Sequence, residues 1–368
     1  METTFIISWL FFLPMEKPYT LKTSPADFVV EEVMHLALKE HGNFMYVQVQ
    51  KENMTSEEAR QLLAKSFHIE PKHIAYSGLK DKRAQTTQVF SIEHASKNAV
   101  LAFQNERLGL QFLGYGDEPV YLGNHTKNKL TITVHFTGES GLRLFEEGVS
   151  RIEQQPLLVN YFDEQRFSTR NVDVGVSLLK KDFKKATEVL MESANPELDV
   201  QQFLEENPTN HVGALSTLPM ATLSIYVHAV QSAIFNTALA KFIKVHATEK
   251  NQQVHEVLYS QGMLAFPDDL SSVECIDVPL IGFGLEELEG KERFMTFISD
   301  EMSTFGINER DFISRQLPAI SAEAKTRAAA IRIEAFTVVE KTPEKAILSF
   351  ILEKGSYATM LFKQLFFA

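Results

Sequence analysis

The 368-residue sequence holds one cysteine, Cys275, so no intramolecular disulfide can form and a thiolate zinc site is not expected. A chain with so little sulfur chemistry belongs in the reducing cytoplasm, and Cys275 itself is read as a buried apolar filler. Paired-ligand spacings such as His-Glu-x-x-His are missing among the eleven histidines. His68 and His73 are read as surface or structural, and no metal is expected. Membrane-length apolar runs are also lacking. Ile6 to Leu13 is too short to span a bilayer, follows acidic Glu2 and has no small-residue cleavage pattern, so it is read as neither span nor export signal. Gly109, Gly114, Gly116 and Gly123 form neither a dinucleotide fingerprint nor a Walker loop, and are read as turn residues between strands. Internal repeats and low-complexity linkers are absent too.

What is present describes a folded mixed protein. Hydrophobic residues make up 44%, with 28 Phe, enough for a packed core, and the length suits two domains or one domain with a large insertion. The 36 Lys and Arg against 48 Asp and Glu give a net charge of −12. An anionic partner must therefore be held by local potential, within a Debye length of about 8 to 10 Å. Phe44 to Gln50 alternates as a strand, and Thr55-Ser56-Glu57-Glu58 is a capping box opening a helix with Ala59, Leu62, Leu63 and Phe67 on one face. Leu108 to Leu113 and Leu130 to Phe136 read as further strands, the second with Leu130, Ile132, Val134 and Phe136 on one face. Helical patterns dominate 177–318, including Asp182 to Glu192 and Ser224 to Val245. Ile331 to Phe336 and Ala346 to Leu352 read as late strands that rejoin the early sheet, and Tyr357 to Phe366 as a closing helix.

The most informative stretch is Gly78-Leu79-Lys80-Asp81-Lys82-Arg83-Ala84-Gln85-Thr86-Thr87-Gln88, which sets one carboxylate among three cations in a polar turn between strand-like Ile74-Ala75-Tyr76 and Val89-Phe90-Ser91-Ile92. Such a turn suits a nucleophile aimed at an anionic polymer; the plain alternative is a solvated charged hairpin. Three further stretches stand in order: Lys22-Thr23-Ser24-Pro25-Ala26-Asp27-Phe28-Val29-Val30-Glu31-Glu32, Asn160-Tyr161-Phe162-Asp163-Glu164-Gln165-Arg166-Phe167, and Lys354-Gly355-Ser356-Tyr357-Ala358-Thr359. A looser fifth is Gln231-Ser232-Ala233-Ile234-Phe235-Asn236. Together they resemble the TruD family of tRNA pseudouridine synthases across nearly the whole chain, beginning only after Met15, so that residues 1–14 read as an N-terminal extension or, alternatively, as an extra strand or oligomer contact.

The resemblance implies an α+β fold: a pseudouridine synthase mixed-sheet catalytic core over 1–176 and 319–368, with a TruD-type α/β domain inserted at 177–318. It implies isomerisation of uridine to pseudouridine, at uridine 13 in the D-arm of tRNA, by a monomer with no cofactor. Asp81 is then the catalytic residue and Lys22 its basic partner, while Lys80, Lys82 and Arg83 serve phosphates. Phe162 packs on the target uracil, Asn160 shapes the site, and Phe28 is core or pocket wall. The alternatives are the same reaction on another RNA, or an RNA-binding or folding factor with little catalytic output. The chain departs from the family pattern at Val159, where Pro is usual, and at Asp163 and Ser168, where Gly is usual. It departs again at Asn124-His125-Thr126-Lys127-Asn128-Lys129. A carboxylate at Asp163 is expected to repel phosphate, and Ser168 to reshape the loop.

Overall fold

The computed structural model describes residues 17–78, 80, 84–168, 170–192 and 197–367. The chain forms two compact units, Met1–Glu147 with Ala335–Ile351, and Gly148–Glu334 with Leu352–Ala368. The second unit thus contains all of 177–318 together with flanking chain on both sides.

The first unit is built on a mixed sheet of β1 (Tyr19–Leu21), β2 (Phe28–Val33), β3 (Phe44–Glu52), β4 (Ile74–Tyr76), β5 (Gln85–Ile92), β6 (Leu108–Gly116) and β7 (Lys127–Phe136), joined by two late strands, Glu334–Lys341 and Lys345–Glu353. The pairing β2–β5 is parallel, with Val29 opposite Gln85, whereas β2–β7, β3–β5 and β3–β6 are antiparallel. In β5, Thr86 and Gln88 are buried between half-buried Gln85 and Thr87, and from Gln88 to Ile92 both faces are covered. The helix Ser56–Phe67 starts where the capping box puts it, with Thr55 Oγ1 accepting the Glu58 amide at 3.0 Å and Glu58 returning a bond to the Thr55 amide at 2.7 Å. Its Ala59 and Leu63 are fully buried against Val47, Val49 and Phe90, and Leu62 and Phe67 pack at the edge of the same cluster. The mixed α and β class expected from the sequence is the class observed.

The second unit holds β8 (Leu157–Val159), β9 (Val254–Tyr259), β10 (Gly262–Pro267), β11 (Asp277–Leu280), β12 (Lys325–Ala328) and β13 (Ala330–Arg332), in three antiparallel pairs: β8 with β13, β9 with β10, β11 with β12. The late strand expected at Ile331 to Phe336 is therefore two strands. Ile331 pairs with Leu158 in this unit, and only the portion beyond Ile333 joins the large sheet. The centre of the unit is the 30-residue helix Met220–Glu249, about 45 Å long at 1.5 Å per residue. It packs against the helix Asn171–Leu179, β10 and the helix Glu292–Phe305. Gly175 allows the first of these contacts, since a Cβ there would lie 2.2 Å from the Tyr226 carbonyl oxygen. Among the described residues no helix is long and apolar enough to cross a membrane. Cys275 is exposed, at a backbone φ of 60°, because it sits in the turn after the short helix Leu270–Ser272 and not in the core as expected.

Candidate functional site

The signature turn leaves the sheet between β4 and β5. Asp81, Lys82 and Arg83 lie outside the described residues. Of the residues around them, Lys80 differs from its expected role: its ammonium is 2.5 Å from the Glu32 carboxylate, with side chains only 8% and 0% exposed, so it faces inward and not toward a phosphate. Glu32 also receives the Ser77 hydroxyl, and the His125 ring lies 3.6 Å from the same carboxylate. His125 comes from the departing Asn124 to Lys129 stretch, so that departure supplies part of the turn's support. Gln88 donates to the Gly78 carbonyl at 2.9 Å, and Ser56 accepts the Lys80 amide at 3.3 Å while donating to the Gln88 side chain at 2.8 Å. The signature's Gly, Lys and Gln positions are thus joined beneath the turn.

In the same unit, Lys22 sits at φ 58° with its ammonium 4.1 Å from the centre of the Phe28 ring, a cation–π contact on a side chain that is itself buried. Next to it Asp27 accepts from the Ser24 amide at 2.9 Å and lies near Thr23 and His135. Burial works to raise the Asp27 pKa, but the bonds from Thr23, Ser24 and His135 outweigh it and hold the carboxyl below its ordinary range.

The second unit brings Asn160 and Phe162 together around a residue that sequence reasoning missed, Arg327. Its guanidinium donates to the Asn160 carbonyl (2.9 Å), the Asn160 side-chain oxygen (2.6 Å) and the Gly355 carbonyl (3.2 Å), and its centre lies 4.2 Å from the Phe162 ring centroid. One planar cation therefore ties the Asn-Tyr-Phe stretch to the Gly-Ser-Tyr-Ala-Thr stretch. Burial pulls its pKa down to about 10, still charged at neutral pH. Phe162 packs edge-on to Phe235 and Tyr357, and its backbone is clamped by Asn236, which accepts the Phe162 amide at 2.9 Å and donates to its carbonyl at 2.8 Å. This gives the loose fifth motif a physical role. Tyr161 is wholly buried and bonded to Ala265, a core aromatic.

Phe162 lines a cavity of about 620 Å³ with Arg166, His228, Gln231, Ser232, Lys325 and Arg327 among the other walls. Gln231 and Ser232 stand one helical turn beyond His228, so all three face it from one side of the long helix. Glu323 is the one carboxylate in the lining. Arg166 donates to the Tyr357 hydroxyl at 3.2 Å, and among the described residues neither Arg166 nor Lys325 has an ion-pair partner. Partial desolvation in the cavity wall, then the charges of Arg166 and Lys325, hold His228 below its ordinary pKa even though it stands at the exposed rim. The wall is therefore electropositive. Asp163 does not oppose this, because its buried carboxylate is 2.7 Å from the Lys363 ammonium. Ser168 takes the backbone that the family's Gly suggests, φ 43° and ψ −160°.

Elsewhere, His73, Glu93 and His94 place ligand atoms within 4.8 Å of one another, and His73 already bonds Glu93 at 2.7 Å.

The motifs and the fold agree with comparisons to known proteins. The chain is 26% identical to the tRNA pseudouridine synthase D of Aquifex aeolicus, over 94% of this chain and 97% of that one. It is 24% identical to the probable tRNA pseudouridine synthase D of Nanoarchaeum equitans, over 94% and 98%. A crystal structure of the putative tRNA pseudouridine synthase D from Methanosarcina mazei shares the fold, with TM-score 0.65 and 22% identity over 94% of this chain and 93% of that one. The family model described as tRNA pseudouridine synthase D (TruD) matches residues 18–202 and 182–365. By that near-complete match, the chain belongs to the tRNA pseudouridine synthase D (TruD) family.

Proposed function

We propose that this protein isomerises uridine to pseudouridine in tRNA, at uridine 13 of the D-arm, with Asp81 as the catalytic carboxylate and no cofactor, acting in the cytoplasm as a monomer. The reaction balances without an oxidant: the bond from N1 to the ribose C1′ breaks, a bond from C5 to C1′ forms, and the proton lost from C5 is matched by one gained at N1. An ionised Asp81 serves each of the available routes, attack at C1′, attack at C6, or removal of a ribose proton. Lys22 is its proposed basic partner, and Lys82 and Arg83 are proposed phosphate contacts. The segment 177–318 is proposed as the family's insertion.

The observation that carries the reading is the cavity around Phe162. A base extruded from a folded RNA loses its stacking partners, and an aromatic wall restores roughly 1 to 3 kcal/mol per base. Phe162 supplies that wall, while Arg166 and Lys325 offer unpaired charge to the neighbouring phosphates. Local potential of this kind lets a chain of net charge −12 hold RNA. Recognition then rests on the shape of the folded tRNA and its phosphates more than on paired-base edges.

The test is tritium release from tRNA labelled at uracil C5, wild type against Asp81→Asn, with the modified position mapped. Release by the wild type alone, at position 13, is expected. Binding without release by either protein would replace the enzyme reading with that of an RNA-binding factor.

A further inference from the structure

We infer that Glu32 is a positioning residue for the proposed catalytic carboxylate: by holding Ser77 and Lys80, it fixes the residue that immediately precedes Asp81 in sequence. This rests on the assignment of Asp81 as the catalytic residue.

Glu32 lies in β2, at the end of the stretch that begins at Lys22, and its side chain is wholly buried. One of its oxygens accepts the Ser77 hydroxyl and the other lies 2.5 Å from the Lys80 ammonium. Gly78 makes this possible: a Cβ there would lie 2.6 Å from the Glu32 carboxylate, 2.9 Å from the His125 ring and 2.9 Å from the Lys80 ammonium. The backbone between these contacts is bonded as well. Gln88 holds the Gly78 carbonyl, Ser56 holds the Lys80 amide, and the Ser77 amide pairs with the Val89 carbonyl at 3.2 Å. Lys80 is the residue immediately before Asp81.

An apolar plug of similar volume would fill this space with no desolvation cost, so stability alone gives little reason for an ion pair here. What the pair adds is direction. A carboxylate that accepts one fixed hydroxyl and pairs with one fixed ammonium restricts the placement of both, where a leucine would allow several. The same contact neutralises Lys80. The signature's first cation is thus consumed by architecture.

The experiment compares Lys80→Met, Glu32→Gln and the double variant Glu32→Gln/Lys80→Met, measuring thermal unfolding, tRNA binding and tritium release. Each single variant leaves one buried charge without its partner and is expected to unfold at lower temperature. The double variant removes both charges and is expected to regain the wild-type melting temperature. Its kcat nevertheless falls on the order of a hundredfold, the usual cost of misplacing a reacting group by about 1 Å, while KM for tRNA stays within about threefold. A double variant with wild-type kcat would show that the pair serves stability alone and would overturn the inference. So would Lys80→Met raising KM at unchanged kcat, which would return Lys80 to phosphate binding. Release from wild type that persists in Asp81→Asn would instead sink the assignment of Asp81, and the inference with it.

Discussion

The two units use positive charge in opposite ways. In the first, Lys80 is turned inward and neutralised by Glu32, whereas in the second, Arg166 and Lys325 face a cavity with no ion-pair partner among the described residues. Arg327 stands between these extremes, half-buried and charged, satisfied by carbonyl oxygens and an aromatic face in place of a carboxylate. A cation in the sequence therefore says little about its task until its partner is known. The Lys-Asp-Lys-Arg run looks like the protein's phosphate contact, yet its first lysine is paired inward, and among the described residues Arg166 and Lys325 bring charge without an ion-pair partner to the cavity around Phe162. This also eases the tension between an acidic chain and an anionic substrate, since a few uncompensated cations in one wall create a local field that the net charge hides.

The sharpest way to break the comparison is Arg327→Met. It strands the Asn160 and Gly355 oxygens and is expected to cost roughly 2 to 4 kcal/mol of stability, with activity lost to the same degree as Asn160 and Phe162 shift. Chemical denaturation measures the first and tritium release the second. Arg327→Lys should recover little of either, because a point charge cannot reproduce the planar fork.

Next in size is the salt test. Arg166→Gln and Lys325→Gln are each expected to raise the Kd for tRNA and to reduce the slope of log Kd against log salt by roughly 0.7 to 0.9, the loss of about one phosphate contact. Lys80→Met should leave that slope alone. Equal slopes for all three variants would erase the distinction between structural and substrate-facing cations.

A smaller effect concerns Ser168, held at φ 43° where L residues are strained. Ser168→Gly is expected to stabilise the protein by about 1 kcal/mol, relief of strain exceeding the added chain entropy, as read from the urea midpoint. The smallest is a pH effect. Bonds from the Ser271 hydroxyl and amide, then from Gln155 and Gln252, bring Asp269 down to about 2. A carboxyl whose folded pKa lies below its unfolded value contributes stability that is present above about 3.8 and lost as pH falls through about 2. Asp269→Asn should flatten this acid limb of the stability profile while leaving its slope near neutrality unchanged.

Local chemistry was legible in the sequence and long-range partnership was not. The Thr55 capping box, the alternation of Leu130, Ile132 and Val134, and the helix around Asp182 all follow from neighbours within a few positions, and each has its counterpart in the structure. The motif around Asn160 also pointed to residues that prove to adjoin a cavity. Arg327 escaped notice because nothing near it in sequence marks it, and its partner Asn160 lies 167 positions away. Glu32 stood at the end of the first motif with no role assigned, and only the fold sets its carboxylate against Ser77 and Lys80 of the signature. Ile331 carried the right strand pattern, but periodicity does not say which of two sheets receives a strand.

The clamp of Asn236 on the Phe162 backbone has a consequence for conformational entropy. A side chain that wanders in the free protein must be immobilised when a ligand arrives, and that loss of about 0.5 to 1.5 kcal/mol is subtracted from whatever the contact gains. Phe162 is already fixed, by two hydrogen bonds between its backbone and Asn236 of the long helix and by Phe235, Tyr357 and Arg327 around its ring. Under the proposed role of Phe162, a base stacking on it would meet a surface that is already ordered, so little of the stacking energy would be spent on fixing the side chain.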